Sequence, residues 1–457
     1  MSLRVIGGGL AGCEAAWQAA EHGADVTLFE MRPQRRSPAH VSDALAELVC
    51  SNSLRGAALE NAVGLLKEEL ARLGSLIITS AREAAVPAGG ALAVDRERFA
   101  HLVERRLTAH PRVRVVREEV TSLELAEPTI VACGPLPSAA LTEAIDAVLA
   151  RAAPQHSKTR LHYYDAASPI VAAESLDTSH MYRKSRYDKG DGDDYLNVPL
   201  SKDEYERFVQ DLRDLPKVEP KEFERDVAAG RVPYFEGCLP IEELAARGAQ
   251  TLRFGPMKPV GLRHPQTGLV PFAVVQLRKE NAGGTAYNLV GFQTRLTWPA
   301  QKEAFGRLPG FGAAEWLRFG VMHRNAFIDA PRLLAPDLRL RGMPNLWFAG
   351  QITGAEGYVE AAACGAIAGI AAARVLRGCE PIAVPADTAL GAVVAHLQNT
   401  ASPDFQPANV TWAHFSAPAG EALRDKRERR RRMAARALGL MEDWKHALAG
   451  GALEAAR

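Results

Sequence analysis

Cysteine is scarce in this sequence and is widely scattered. Only six cysteines occur in 457 residues, and no two of them form a C-x-x-C pair. They are Cys13, Cys50, Cys133, Cys238, Cys364 and Cys379. Structural zinc sites and redox dithiols use closely paired cysteines, and disulfide frameworks belong to small secreted chains. The sequence therefore predicts no metal site and no disulfide framework, and each thiol has to be considered by itself.

A secretory leader and long apolar runs are also lacking. The chain begins MSLRVIGGG, so that a strand and a glycine turn stand where a signal peptide would have a basic region and an apolar run. No stretch approaches the ~18 uninterrupted apolar residues that a membrane helix needs. We therefore expect a cytoplasmic protein without a membrane anchor.

Net charge is almost absent. The formal charge is +1, which excludes a uniformly basic nucleic-acid-binding protein. The run RDKRERRRR at 424–432 nevertheless has seven basic and two acidic residues, a local charge of +5. Such a run is commonly a solvated helix face, and contact with an RNA backbone is the alternative interpretation.

A glycine fingerprint opens the chain in RVIGGGLAGCEAAWQAAEHGADVTLFE, residues 4–30. A short apolar strand leads into Gly7 for a tight turn, Gly9 for close approach of a pyrophosphate and Gly12 for helix packing. The pyrophosphate is expected at the N-terminus of the following helix, where free N–H groups attract anions. Glu30 ends the second strand, where a carboxylate meets a ribose hydroxyl. The segment predicts a dinucleotide site that suits FAD or NAD better than NADP.

A second glycine-rich segment, NLWFAGQITGAEGYVEAAACGAIAGIAAARVL at 345–376, favours FAD. It reads as a strand, a loop that contains Gly350, Gln351 and Gly357, and a long helix from Tyr358. The segment resembles one in flavoproteins of the glutathione-reductase type, where a helix N-terminus faces the flavin. Tyr358 is expected to lie over the flavin ring or to be an ordinary half-buried tyrosine.

The two cofactor segments lie at opposite ends of the chain. At 457 residues the chain has room for two or three domains of ~150 residues. We predict an α/β fold in which a discontinuous FAD-binding Rossmann domain of the glutathione-reductase type comprises 1–140 and 331–457. The second part would include a helical C-terminal tail. An α+β domain at 141–330, inserted between them, would bind substrate.

Two cysteines have neighbours that differ from those of core thiols. Cys50, in ELVCSNSLRG, is followed by small polar residues, although a core thiol at a helix end is the simpler interpretation. Cys238, in VPYFEGCLPIEELAARG, is predicted at a turn or a helix N-terminus, where the helix dipole lowers a thiol pKa. Cys13, Cys133 and Cys364 are interpreted as packing residues.

Seven segments together resemble the folate- and FAD-dependent tRNA (uracil-5-)-methyltransferases, which make 5-methyluridine in the tRNA T-loop. They span residues 5 to about 369, and their order and spacing are more specific than the glycine fingerprint alone. They are GGGLAGCEAAWQAAEHG, CSNSLRG, FEGCLPIEELAARG, LRFGPMKPVGL, VQLRKENAGGTAYNLVGFQTRL, GVMHRNAFI and AGQITGAEGYVEAAACG.

The resemblance implies a chemistry for both thiols. A uracil C5 accepts a one-carbon unit only after a thiolate has added to C6. The family pattern implies that Cys238 is this nucleophile and that Cys50 is the general base. It further implies 5,10-methylenetetrahydrofolate as the carbon source, FAD reduced by NADPH or NADH, and the tRNA T-arm as partner. The sequence does not indicate an obligate protein partner.

Three alternatives remain open at this stage. One is the related family of FAD-dependent enzymes that modify the tRNA wobble uridine, which are longer and have a helical C-terminal domain. The others are an NAD(P)H:flavin oxidoreductase for a small molecule and a non-catalytic flavin-binding RNA protein. Arg253, Lys258, Arg263 and Arg278 are candidates for contact with tRNA phosphates or the folate tail, with plain surface charge as the alternative.

Overall fold

The computed structural model describes residues 2–123, 126–154, 160–218, 239–401, 405–416 and 425–454. Its strands are β1 (Ser2–Ile6), β2 (Asp25–Phe29), β3 (Ser53–Gly56), β4 (Ala85–Val86), β5 (Ala91–Val94), β6 (Val113–Val116), β7 (Thr129–Val131), β8 (Arg160–Ala166), β9 (Ile170–Ala172), β10 (Tyr182–Arg183), β11 (Tyr195–Leu200), β12 (Ala273–Lys279), β13 (Ala286–Leu289), β14 (Trp316–Arg318), β15 (Met322–Ile328) and β16 (Leu346–Phe348). Its helices are α1 (Leu10–Glu21), α2 (Ala62–Arg72), α3 (Leu76–Glu83), α4 (Arg96–Ala109), α5 (Ala139–Ala152), α6 (Lys202–Asp214), α7 (Ile241–Arg247), α8 (Thr251–Phe254), α9 (Trp298–Gly306), α10 (Ala330–Leu333), α11 (Tyr358–Leu376), α12 (Ala389–Leu397) and α13 (Lys426–Glu454).

A five-stranded parallel sheet carries the glycine fingerprint. Its strand order is β16-β7-β1-β2-β6, so the first strand of the chain lies in the middle. In β1, Leu3, Val5 and Ile6 are buried because helices cover the sheet. The strand from the C-terminal part of the chain pairs with β7. The predicted α/β class with a parallel, Rossmann-type sheet is confirmed.

Helix α11 packs directly on the backbone of α1. A Cβ atom on Gly365 would lie 2.2 Å from the carbonyl oxygen of Ala11, and one on Gly369 would lie 2.5 Å from that of Ala15. Glycine is therefore required at both positions, since any side chain would separate the two helices. This packing brings the two glycine-rich segments to the same edge of the parallel sheet.

Helix α11 bears on the expectation that the chain lacks a membrane helix. Within the described part of the chain, it is long and apolar enough by length and composition to cross a membrane. Glu360 and Arg374 nevertheless interrupt the segment, so it does not contain ~18 uninterrupted apolar residues. In the structure, 83% of that segment is buried, as in the core helix of a globular protein.

The remaining strands of the described residues form three further sheets. A six-stranded antiparallel sheet has the order β10-β11-β12-β13-β9-β14, β3-β5-β4 form a second sheet, and β8 pairs with β15. One apolar cluster includes side chains from Leu3 to Ala153 and again from Phe327 to Leu448, and another extends from Val171 to Phe311. Helix α5 packs in the first cluster, and the domain limits given above stay a prediction.

The contact between α1 and α11 predicts the effect of one methyl group. The Gly365→Ala substitution should lower the free energy of unfolding by about 1 to 3 kcal/mol, because the added methyl group overlaps the Ala11 carbonyl. Gly439→Ala is the matched control, because Gly439 has open space around it within a helix. It should leave stability unchanged or raise it by up to ~1 kcal/mol. Urea unfolding of both variants tests this, and equal stabilities would contradict it.

A buried histidine predicts a loss of stability in acid. Burial lowers the pKa of His396 in α12 from 6.5 to about 4. The folded state thus binds this proton less readily than the unfolded chain, so stability present above pH 6.5 is lost as the pH falls towards 4. The wild type should lose about 2 kcal/mol more than His396→Leu between pH 7 and pH 5, measured by urea unfolding. The exposed His101, changed to leucine, serves as control and should show no such difference.

Candidate active site

One cavity of about 350 Å³ connects the two glycine-rich segments with the Cys50 loop, residues 47–56. The predicted site residues that line it are Gly7, Gly9, Glu30, Cys50, Gln351, Gly357 and Tyr358. Gly12 and Gly350 lie beside it and serve packing instead: their Cβ atoms would lie 1.8 Å from the Gly7 carbonyl oxygen and 2.6 Å from the Ala11 Cβ. A more open depression of about 920 Å³ lies elsewhere, beside Ser201 and His264.

The first glycine turn leaves room for a phosphate group. Gly7 has a φ of 108°, and a Cβ there would lie 2.5 Å from the carbonyl oxygen of Ala132. Around Gly9, which precedes α1, a Cβ would meet no atom within 4 Å. The first amides of α1 therefore open directly into the cavity. This arrangement fits the pyrophosphate of a dinucleotide.

Glu30 is held in place by three hydrogen bonds. Its Oε2 accepts from the Gly8 amide at 2.8 Å, and its Oε1 accepts from Arg32 Nε at 2.8 Å and from the Arg32 amide at 3.0 Å. Burial acts to raise the pKa of Glu30, but the Arg32 guanidinium and the two amides outweigh it and lower the pKa. The ionised carboxylate thus borders the cavity in a fixed orientation. Arg32 and its second partner Glu47 were not identified from the sequence.

Tyr358 connects the second glycine segment to the Cys50 loop. Its hydroxyl oxygen accepts hydrogen bonds from the amides of Cys50 at 2.7 Å and Ser51 at 3.1 Å. Burial raises the pKa of Tyr358, so the phenol keeps its proton. The Cys50 Sγ is 3.8 Å from the carbonyl oxygen of Ala166. The thiol therefore lies at the end of the cavity where α11 begins.

Asn52 ties the Cys50 loop to two sheets at once. Its side-chain amide donates to the carbonyl oxygens of Val94 in β5 and Lys279 in β12, and its Oδ1 accepts from Arg278 Nε at 2.8 Å. Asn52 and Arg278 are both buried. Arg278 is therefore not plain surface charge, and that interpretation is wrong, whereas its contact with a ligand stays a prediction. Its guanidinium is buried because it binds the Asn52 side chain.

Two further ion pairs hold the Cys50 loop. Arg55, with a φ of 64°, binds both carboxylate oxygens of Glu360 in the first turn of α11. Arg96 donates to the carbonyl oxygen of Leu48 and pairs with Glu280 at 2.5 Å. The sequence analysis did not identify these residues. Arg55 belongs to the CSNSLRG segment, whereas no local sequence pattern indicates the pair of Arg96 and Glu280.

Cys238 lies outside the described residues. The described chain resumes at Leu239, and two residues later the Ile241 amide donates to the carbonyl oxygen of Gln293 at 2.7 Å. Gln293 lines the cavity. Glu242 continues this contact, accepting from the Arg295 amide at 2.6 Å. The residues after Cys238 are thus bound to a segment that borders the cavity.

The other thiols differ in their exposure. Cys13 and Cys364 are fully buried, and burial raises the pKa of Cys364 to about 11. Cys133 is only half-buried and lines the cavity, so its interpretation as a packing residue was incomplete. Burial raises the pKa of Cys133 to about 12, so its thiol stays protonated near neutral pH.

Comparisons with known proteins place this site in context. A family model described as glucose inhibited division protein A matches residues 2–380. The methylenetetrahydrofolate–tRNA-(uracil-5-)-methyltransferase TrmFO of Geobacter sulfurreducens is 55% identical over 97% of this chain and 98% of its own. The protein of the same name from Heliobacterium modesticaldum is 53% identical, with 97% of each chain covered. The solved structure of Aquifex aeolicus GidA is similar in fold, with a TM-score of 0.67 over 98% of this chain and 75% of that chain at 16% identity.

The Tyr358 hydroxyl predicts a measurable change in the Cys50 loop. Tyr358→Phe removes the acceptor of two amides, so it should lower the free energy of unfolding by about 1 to 2 kcal/mol. It should also speed hydrogen exchange in peptides that contain Cys50 and Ser51, as measured by mass spectrometry. Tyr187→Phe is the control, since Tyr187 is 56% exposed. Unchanged exchange in the Cys50 loop would contradict the assignment.

Proposed function

Because the chain belongs to the family of methylenetetrahydrofolate–tRNA-(uracil-5-)-methyltransferases, we propose that it converts a uridine of the tRNA T-loop into 5-methyluridine. The enzyme is a flavoprotein that methylates uracil C5 in tRNA with a folate-bound carbon. The wobble-uridine, small-molecule and non-catalytic alternatives are not favoured, because relatives that match 97% of the chain carry the methyltransferase name.

The observation that supports this function most directly is where the Cys50 loop lies. Cys50 borders the cavity at the start of α11, its amide is bound to Tyr358, and Gln293 from the segment bound to Ile241 borders the same cavity. The Cys50 thiol, the N-terminus of α11 and the segment bound to Ile241 therefore border one cavity. A transfer between a base and a cofactor needs this kind of proximity.

The residues of the cavity fit FAD. The open space at Gly9 and the first amides of α1 would hold the pyrophosphate. Glu30 would accept a hydrogen bond from a ribose hydroxyl. Gln351, Gly357 and Tyr358 would border the flavin end. Reduced FAD bound there would supply the hydride that takes the transferred carbon from the methylene to the methyl level. We propose NADPH or NADH as the reductant that restores it.

The two cysteines then have complementary tasks. The Cys238 thiolate would add to uracil C6, and the resulting enolate would bond through C5 to the methylene carbon as the bond from that carbon to the first of its two folate nitrogens breaks. Cys50 would take the C5 proton, and the electron pair of that C–H bond would expel the second folate nitrogen and leave an exocyclic methylene on C5. Once a hydride has reduced the carbon to a methyl group, the bond from Cys238 to C6 breaks and the thiolate is released. Hydrogen bonds from both Cys50 and Ser51 to Tyr358 position the base.

We further propose a cytoplasmic location, because tRNA and reduced folates are found there. The buried position of α11 is compatible with this.

Incorporation of labelled carbon tests the reaction. Purified protein would be incubated with an unmodified tRNA transcript, methylene-labelled methylenetetrahydrofolate and NADPH or NADH, and the nucleosides then analysed. Label in 5-methyluridine at the T-loop position is the expected result. A yellow protein that oxidises the nicotinamide without labelling any uridine would overturn the proposal in favour of an oxidoreductase.

Substitution of single thiols tests their roles. Cys238→Ser should lower kcat by at least ~10³-fold, because its oxygen is a poor nucleophile near neutral pH, and Cys50→Ser should lower it by ~10²- to 10⁴-fold. Both variants should still bind FAD and tRNA. Cys379→Ser is the matched control, since Cys379 lies outside the residues that line the cavity. Full activity in Cys238→Ser would contradict the assigned nucleophile.

A further inference from the structure

Helix α13 begins with an exposed group of basic side chains. Lys426, Arg429 and Arg432 are exposed and Arg430 is half-buried; we call these four residues the basic face. Arg432 remains 61% exposed while it pairs with Glu428. The whole protein has a net charge of only +1, so positive charge is concentrated here.

The helix itself is docked on the protein. Met433, Ala437, Met441 and Trp444 are buried in the first apolar cluster. The Trp444 Nε1 also donates to the carbonyl oxygen of Ile382 at 3.3 Å. Packing on the body therefore accounts for one side of this helix. The basic face is therefore presented on a rigid support rather than on a free tail.

The basic residues lie near the N-terminus of the helix, where positive charge is least favourable. The N-terminal end of a helix carries the positive end of its dipole, which disfavours cations in the first turn, where Lys426 and Arg429 lie. Lys426 and Arg430 are also spaced i,i+4, which places like charges side by side. Arg427 and Arg431 share one carboxylate, Glu60, at 3.0 Å each. The local charge is thus incompletely balanced, and an external anion would relieve it.

A short series of contacts connects this helix with the active-site cavity. Asn409 lines the cavity, and three residues later the Trp412 Nε1 donates to the backbone oxygen of Glu60 at 3.1 Å. Glu60 in turn binds Arg427 and Arg431. One three-residue segment and two side-chain contacts therefore link the cavity wall to the start of α13.

We propose that the basic face binds phosphates of the tRNA that presents its uridine to the cavity. The proposal rests on the proposed function, because only a polynucleotide substrate would extend from the cavity to α13. Arginine and lysine suit this task, since phosphate contacts position a nucleic acid without reading its sequence. The contact orients the tRNA and takes no part in the chemistry.

Charge reversal tests the basic face. The Arg429→Glu/Arg432→Glu double variant should bind an unmodified tRNA transcript at least ~10-fold more weakly near 0.1 M salt, as measured by filter binding without folate or nicotinamide. The slope of log K against log salt should become shallower by roughly 1 to 2, because each lost phosphate contact releases fewer counterions. FAD content and flavin reduction should stay unchanged.

Two control variants make the result specific. Arg98→Glu/Arg105→Glu makes the same charge change at exposed positions of α4 and should retain tRNA affinity. Arg429→Lys/Arg432→Lys keeps the charge and should retain most of the affinity. Wild-type affinity and salt slope in the charge-reversed α13 variant would overturn the proposal, as would an equal loss in the α4 variant. A wild type that binds tRNA without methylating it would refute the proposed function alone.

Discussion

The rest of the structure depends on the direct backbone contact between α1 and α11. Gly365 and Gly369 lie so close to the carbonyl oxygens of Ala11 and Ala15 that a side chain at either glycine would overlap them. Each helix follows a strand of the same parallel sheet, so packing them together brings both glycine-rich loops to one edge. A cofactor cavity can form there only because two segments separated by more than half of the chain are held at this distance.

The Cys50 loop depends on that contact in turn. Tyr358, the first residue of α11, binds the amides of Cys50 and Ser51, and Glu360 in the same turn binds Arg55. Asn52 attaches the same loop to β12 in the antiparallel sheet. Buried hydrogen bonds of this kind are weak individually, but an unpaired buried group is costly, so the loop has few alternatives. The hydrogen bonds of the loop backbone therefore position the thiol, whose sulfur lies 3.8 Å from the carbonyl oxygen of Ala166.

Two buried arginines were not interpreted correctly from the sequence. Arg278 was considered as a surface cation, yet it is buried against Asn52, and Arg32 is buried between Glu30 and Glu47. Composition cannot distinguish an arginine that meets solvent from one that meets a nearby carboxylate, as Arg32 does, or an amide 226 residues away, as Arg278 does. The glycine fingerprint succeeded because its requirements are local: a tight turn, an open helix start and a strand close by.

The sequence alone determined the parallel Rossmann-type fold, the two cofactor segments and the family to which the chain belongs. Strand periodicity, glycine spacing and motif order are properties of neighbouring residues, so they can be read without a fold. Only the tertiary structure decided that Cys50 meets Tyr358, that Asn52 bridges two sheets and that α13 packs on the body while Arg429 and Arg432 stay exposed. Those contacts join residues separated by tens to hundreds of positions, and packing alone selects them.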